Sequence, residues 1–475
     1  MGSLLSSMTV AAGALRAYER VLDVTENNVA NAQTPGYAAQ VQTLEAMPLD
    51  PSGGLIGGVE AGQIQSERNQ YADQQVQQQT TLLGQAQQQV NSLTSLQSLF
   101  DISGTSGISV ALNNLLDSFS GWAQSPNDAV SQQSVLNDAS DLATAFQQTA
   151  TGLTLAEQDA ENGITQTVST VNSLVGQLQS YNSQIMQGDR GDSGLDAQVH
   201  STLEQLAQYV SFTTLNNPDG TVSLLLNGQT PLLVENQQYQ ISAGMEQPAS
   251  PPPVNSNGRP PVEILASDGT DITSATTGGQ LGALVNFRDS VLPSFIGDGY
   301  QQGQLNQMAQ QFADRVNQLL EGGQTTAGAA GAALFTYNAS DPTNAAASLA
   351  VNPAITADQL AAGDGSSSNG VALALSGLEN PTASADEIDG ESFTQFYGSM
   401  AAQVGDALDT ANNDLTVQQS AVAQAKNIQQ QMSGVSLDEE ATLLIQFQNA
   451  YDANARMLTV LDQLVQDTIN MLPTS

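Results

Sequence analysis

From Leu437 to the chain's last residues an apolar side chain returns at every seventh position: Leu437, Leu444, Tyr451, Leu458, Val465 and Leu472. A second row, Leu443, Ala450, Met457, Leu464 and Met471, runs beside it, and Phe447 and Leu461 widen the seam. The first thirty residues follow the same pattern. Met8, Leu15, Leu22 and Val29 form one row, with Leu4, Ala11, Tyr18, Thr25 and Ala32 forming a second. Rows that repeat at seven return one helix face to a partner, as a coiled-coil seam requires. The pattern predicts long terminal helices that pair, with each other or with neighbouring copies. Such a chain is an assembling rod rather than an enzyme.

The first helix is predicted from about Leu4 to Ala32. Pro35 pushes Thr34 out of helical backbone and Gly36 permits the turn that follows, before Tyr37. The amides of the Asn/Gln residues just before this stop, Asn27, Asn28, Asn31 and Gln33, can bond neighbouring backbone. Residues 38–69 are Gly-rich and read as irregular. A second helix follows, with apolar positions at Leu82, Ala86, Val90, Leu93, Leu96 and Phe100, interrupted at Ser103-Gly104-Thr105-Ser106-Gly107. Three further helices are predicted: Ile108 to Ala123 with the sole tryptophan, Trp122, as a core anchor; one capped by Asn127 or Asp128 and running through Leu153; and one carrying Ile164, Val171, Leu178 and Ile185.

The period then changes. Phe212 to Leu215, the turn Asn216-Asn217-Pro218-Asp219-Gly220, and Thr221 to Leu226 read as strand, turn, strand. Pro251-Pro252-Pro253 and Pro260-Pro261 exclude helix there. Helix returns from Gly278 to Asp289 and from Leu305 to Leu320, and again from Phe393 to Met432. Between them, residues 321–389 are Gly/Ala/Ser-rich and of undecided order. Gly434 ends the long helix, and Ser436 with Glu439 forms a capping box for the last one. The fold class is mainly α with a β-rich insertion. Its expected domains are the terminal helices 1–37 and 437–475 as an axial core, a helical layer of 38–211 and 278–436, and an outer β-rich insertion, 212–277.

Composition narrows the function. Aromatics are 5% and charged residues 12% of the 475 residues, which suits long thin helices with alanine contacts more than one thick core. Nine basic residues against 47 acidic ones give a formal charge of −38, which repels nucleic acid and anionic lipid. Without cysteine there is no disulfide, thiol nucleophile or Cys-ligated metal. No basic leader and no membrane-length apolar run is legible, so no cleaved signal peptide and no membrane insertion are expected. Catalytic chemistry is not legible either. His200 is the sole histidine and reads as surface or packed. Asp438, Glu439 and Glu440 start a helix and serve its dipole, and Asp189-Arg190-Gly191-Asp192 reads as a solvated loop. No catalytic residue, cofactor-binding residue, metal ligand or phosphate-binding loop is assigned.

Asn28-Val29-Ala30-Asn31-Ala32-Gln33-Thr34-Pro35-Gly36-Tyr37 resembles the N-terminal signature of the bacterial flagellar axial proteins, the rod, hook and hook-associated subunits. Phe100-Asp101, Gly107-Ile108-Ser109, Leu115-Leu116 and Ser125-Pro126-Asn127-Asp128 are similar to the hook-associated branch that forms the first hook–filament junction. So are the helices at 278–320 and the stretches Ser433 to Glu440 and Gln448 to Arg456. One block departs from that pattern. Leu195 to Glu204 stands where the branch has an Asp- and Arg-rich run, so its helix is expected to be kept and its ion pairs lost. The resemblance implies a non-enzymatic structural subunit at the hook–filament junction, outside the cell, reached by type III flagellar export through the flagellum's own channel. It implies a homo-oligomeric ring, contacts with the hook protein and with a second hook-associated protein, and an export chaperone on the C-terminal helix. Asn28, Asn31, Pro35, Gly36 and Tyr37 would join the two apolar rows as axial packing residues. A rod, hook or flagellin-like subunit, or a secreted enzyme on an axial scaffold, is the alternative.

Overall fold

The computed structural model describes residues 2–50, 55–100, 106–248 and 250–471. Leu472, the end of the first C-terminal row, and Ser103 to Thr105 of the expected helix break lie outside them. In chain order the elements begin with α1 (Gly2–Asn31), β1 (Gln40–Asp50), β2 (Leu55–Ser66), α2 (Gln70–Gln97), α3 (Gly107–Gln124), α4 (Ala129–Gln184) and α5 (Ser193–Tyr209). Strands β3 (Phe212–Asn216), β4 (Val222–Leu226), β5 (Thr230–Val234), β6 (Gln237–Gln238), β7 (Ser242–Met245) and β8 (Val262–Leu265) follow. Then come α6 (Gly279–Asn286), α7 (Leu292–Ile296), α8 (Gln304–Glu321), β9 (Phe335–Thr336), α9 (Ala345–Ser348), β10 (Ala350–Val351), α10 (Gly370–Ser376), α11 (Phe393–Ser433) and α12 (Leu437–Asn470). The fold is mainly helical, with long terminal helices and a small β-rich insertion. No helix among the described residues is long and apolar enough to cross a membrane.

Helix α4 is the spine. Fifty-six residues long, it spans roughly 84 Å at 1.5 Å per residue and serves two cores in succession. Up to Ala160 it packs with α3, α8, the start of α11 and the segment between α8 and α11, around Trp122, Phe119, Phe146 and Phe312. From Ile164 onward it packs with α5, α6 and the strands, through Val171, Leu178, Leu224 and Ile264. The two helices expected on either side of residue 160 are thus one. Gly152 and Gly163 do not break it because each lets another side chain approach. A Cβ on Gly152 would meet Leu99 at 2.6 Å, and one on Gly163 would meet Leu284 at 3.3 Å. Asp128 accepts the Ser131 N–H at 2.9 Å and caps the helix.

The insertion contains an antiparallel sheet in the order β3-β4-β5-β6, registered Phe212 opposite Leu226 and Asn216 opposite Val222. A separate antiparallel pair, β7 and β8, brackets the proline-rich loop. Two other stretches differ from the sequence reading. Residues 38–69 are not irregular, for β1 and β2 form an antiparallel hairpin from Gln40 opposite Ser66 to Asp50 opposite Leu55. Residues 321–389 are ordered, and Leu334, Phe335, Leu349, Leu360, Val371 and Leu378 belong to the first core.

One buried charge cluster ties the insertion to the spine. Arg288, 1% exposed, meets Glu157 at 3.2 Å, Glu161 at 2.9 Å and Asp289 at 3.1 Å. Arg259 of the proline-rich loop also pairs with Glu157, and Asp289 accepts the Val262 N–H at 3.1 Å. Burial pushes the Glu157 and Asp289 carboxyls above their ordinary range, against the pull of the arginines. Removing the central cation leaves buried carboxylates uncompensated, so Arg288→Met should cost about 3–5 kcal/mol in denaturant unfolding. The sign with pH follows from the raised values. A folded chain that binds protons above the ordinary carboxyl range of ~4 gains stability as pH falls through that window. The deficit of Arg288→Met should therefore be smaller near pH 5 than at pH 7, and a pH-independent deficit would contradict the assignment.

Candidate assembly site: the paired terminal helices and their joint

Helices α1 and α12 lie against each other in opposite directions. Tyr18 packs on Phe447 with ring centroids 5.7 Å apart, while ten residues further along α1 Asn28 reaches back to Glu440 at the start of α12. The hairpin covers another side of α1, where Gly58 stands beside Val10 and Gly13 beside Val59. Ala11, Ala14, Ala17 and Val21 are the buried row of α1, because short side chains let a helix and a hairpin approach the same rod.

The residues singled out from sequence fall in several places. Met8, Leu15 and Leu22 are half-buried on α1, whereas Val29 is 39% exposed. On α12, Leu444, Tyr451, Leu458 and Val465 are half-buried and Leu437 is 51% exposed. The second row splits. Leu443 and Ala450 are half-buried, but Met457, Leu464 and Met471 are exposed, and with Val460 they form an uncovered apolar stripe. Pro35 is exposed, and Asn31 donates to the Asn27 carbonyl at 3.0 Å within the last turn.

Asn28 is the hub. It is 2% exposed, and its amide nitrogen donates to the Gln40 carbonyl at 2.8 Å and to Glu440 Oε1 at 2.7 Å. Its amide oxygen accepts the Gln40 N–H at 3.0 Å and the Tyr37 hydroxyl at 2.9 Å. One side chain thus holds the end of α1, the start of the hairpin and the start of α12. Burial pushes the Glu440 carboxyl up, with the Asn28 hydrogen bond opposing it. Ser436 accepts the Glu439 N–H at 3.4 Å, which is the serine half of the expected capping box.

Below this hub the rod meets the body. Gly36 takes φ +76°, and a Cβ there would stand 2.3 Å from the Ala197 carbonyl of α5. Both backbone and space demand glycine. Arg68 donates to the Gly36 carbonyl at 2.6 Å and pairs with Asp196 at 2.7 Å and Asp73 at 3.3 Å. Gln429 of α11 donates to Asp73 at 2.7 Å. Ser433, the last residue of α11, accepts the Asn69 N–H on its hydroxyl at 2.8 Å and the Ala39 N–H on its carbonyl at 2.9 Å.

His200 lies in this cluster, 3.3 Å from Asp73 and 3.6 Å from Asp196. Burial, then the neighbouring Arg68, holds its imidazole below the usual histidine value, so it is neutral near pH 7. The expectation that the Leu195–Glu204 helix has lost its ion pairs is therefore wrong. Asp196 keeps one, and its partner comes from a loop 128 residues away. Arg68 and Asp73 were missed because nothing local marks them, while Gly36 in the turn was the available signal. Among the described residues no group of three or more His, Cys, Asp or Glu is placed to hold a metal.

Comparison with known proteins gives this arrangement a lineage. A family model described as flagellar hook-associated protein FlgK helical domain matches residues 93–335, just over half of the chain. Models described as flagella basal body rod protein and flagellar basal body rod FlgEFG protein C-terminal match residues 8–37 and 429–471. Flagellar hook-associated protein 1 of Bacillus subtilis is 27% identical over 99% of both chains. The protein of the same name from Escherichia coli is 22% identical over 99% of this chain and 100% of its own. The structure of the flagellar hook junction protein FlgK from Burkholderia pseudomallei shares the fold, with TM-score 0.58 and 16% identity, covering 75% of this chain and 99% of that one. The two rod-protein matches fall on α1 and α12, the helices that Asn28 clasps, and the helical-domain match falls on the body between them. The chain belongs to the flagellar hook-associated protein FlgK family and is a structural subunit of the bacterial flagellum.

Proposed function

We propose that this subunit joins the hook to the filament as a ring of identical copies, by packing of its terminal helices and without catalysis. One observation carries the reading. The clasped pair hides one apolar seam of α12 and leaves another in solvent, with Ile445 62%, Met457 57%, Val460 59% and Met471 82% exposed. A lone rod cannot bury two seams, whereas a bundle of rods can. Residues 1–37 and 437–475 form the axial core in this reading, and 212–277 forms an outward insertion on a helical layer. Met8, Leu15, Leu22, Leu444, Tyr451, Leu458 and Val465 are its packing residues, with Asn28, Asn31, Gly36 and Tyr37 fixing the rod's exit.

The hook protein lies on one side of the ring and a second hook-associated protein on the other. Before export a chaperone covers the apolar stripe of α12, and the chain then travels unfolded through the flagellum's own channel, after which neighbouring copies cover the stripe. A stripe of that size left bare in the cytoplasm invites aggregation.

Deletion of the gene tests the role. Electron microscopy should show normal hooks without filaments, and flagellin should accumulate in the medium. Filaments of normal length would rule the junction role out, and missing hooks would favour a rod or hook subunit. A single substitution tests the mechanism. Leu458→Asp places a carboxylate on the seam, at a cost of about 2–4 kcal/mol. The melting of the body should hold, because Leu458 packs within the rod and not in either core of the body, while filament formation should fail. Normal filaments on a Leu458→Asp background would show that this seam is not needed for assembly.

A further inference from the structure

Among the described residues the buried acids are Asp73, Glu157 and Glu440. Asp73 pairs with Arg68, and Glu157 with Arg259 and Arg288. Glu440, in the first turn of α12 and 7% exposed, makes no ion pair with any described residue. Its Oε1 accepts the Asn28 amide at 2.7 Å. Its Oε2 is covered from solvent and has no hydrogen-bond partner among the described residues.

The groups that face this carboxyl come from every element around it. Thr25 and Asn28 stand on α1, Tyr37 in the turn, Glu67 just after β2, and Glu439 beside it on α12. Two of these are carboxylates and none is a cation. Arg68, the cation of the joint, spends its guanidinium on the Gly36 carbonyl, Asp196 and Asp73. The helix N-terminus favours an anion here, as does the Asn28 donor. Burial outweighs them and, reinforced by Glu439 and Glu67, pushes the carboxyl above its ordinary range. An ionised carboxyl with one covered oxygen left undonated is costly. The neutral form drops the charge, keeps Oε1 as the acceptor for Asn28, and gives Oε2 a proton that the Thr25 hydroxyl can accept.

We propose that Glu440 is a proton-operated latch on the terminal rod, closed on Asn28 when its carboxyl is neutral and weakened when the carboxyl is ionised. Asn28 also holds Gln40 and Tyr37, so the latch governs how firmly α1, the hairpin and α12 are joined. A carboxyl raised in the closed state binds its proton more tightly closed than open. Its stabilisation is complete below the ordinary carboxyl range and is lost as pH rises through the raised value. Acid therefore tightens the joint. His200 works in the opposite direction, because an imidazole held below its usual value loses stability as pH falls.

Amide hydrogen exchange on the purified full chain at pH 5 and pH 7 tests the latch, with each rate corrected for its intrinsic pH dependence. The Gln40 N–H, which bonds Asn28 Oδ1, and the Glu440 N–H, which bonds the Ser436 carbonyl, report on the joint. Both should be protected at least about threefold more at pH 5 than at pH 7. Glu440→Gln keeps an acceptor for Asn28 and cannot ionise, so its protection at Gln40 should be the same at both pH values. If that variant does not fold, the parent's own profile decides. Protection at Gln40 that is flat, or greater at pH 7, would overturn the latch, as would an unchanged pH dependence in Glu440→Gln. So would an equal gain at the amides of Val171 and Leu178, because the second core of the body lies away from this joint and a change shared with it belongs to the whole fold.

Discussion

Everything distinctive about the ends of this chain passes through one buried amide. Asn28 sits where α1 stops, and its two hydrogen-bonding atoms are fully engaged by Gln40, Tyr37 and Glu440. Leaving such a group unpaired in a buried place costs about 1–3 kcal/mol, so the amide selects one arrangement of three segments over looser ones. Its partners lie 9, 12 and 412 residues away. That last separation is the essential constraint. It brings the end of the chain back to its beginning and makes the rod a two-helix object. The neighbouring turn is equally determined, since Gly36 touches the body at a distance no side chain would permit.

The terminal helices were legible because their information is local and periodic. Tyr18 stands in a seven-spaced row and Phe447 widens the seam beside one, and the Ser436 cap, the Gly434 stop and the Thr34-Pro35-Gly36 turn mark the ends. Periodicity left open which surfaces the rows meet, and here it was incomplete. The most buried face of α1 is its alanines, which carry almost no hydrophobic signal, and the second row of α12 divides between covered and bare residues. The strands after Phe212 were legible for the same local reasons, a turn-rich segment between apolar runs.

Other features escaped for identifiable physical reasons. The hairpin of β1 and β2 lacks the alternation of a half-buried strand, because it rests on small residues of α1 while Val41, Leu44 and Met47 stay largely exposed. The continuity of α4 was hidden by the largely polar stretch between Leu155 and Ile164, where the apolar series lapses; Gly152 and Gly163 within the helix are contact points. The segment between α8 and α11 reads as low in pattern, and its order comes from tertiary contacts with α3 and α8. Arg68 and Asp196 make an ion pair across 128 residues, a relation that no window of sequence displays. The same holds for Arg288 and the acids of α4.

The central claim is that α1 and α12 pair antiparallel within one chain, joined at Asn28 and Glu440. Because the chain has no cysteine, spin labels can be placed without background. Labels at Glu19→Cys and Gln446→Cys, both exposed and level with the Tyr18–Phe447 contact, should be read by pulsed dipolar spectroscopy with excess unlabelled chain present. The pairing predicts one narrow distance of roughly 20–30 Å, set by helices 8–10 Å apart plus the label arms. Moving the second label to Gln466→Cys should lengthen it by roughly 12–16 Å, because twenty further residues at 1.5 Å each add about 30 Å along the axis, at right angles to the first distance. A broad distribution at the first pair, or equal distances for both, would contradict the account.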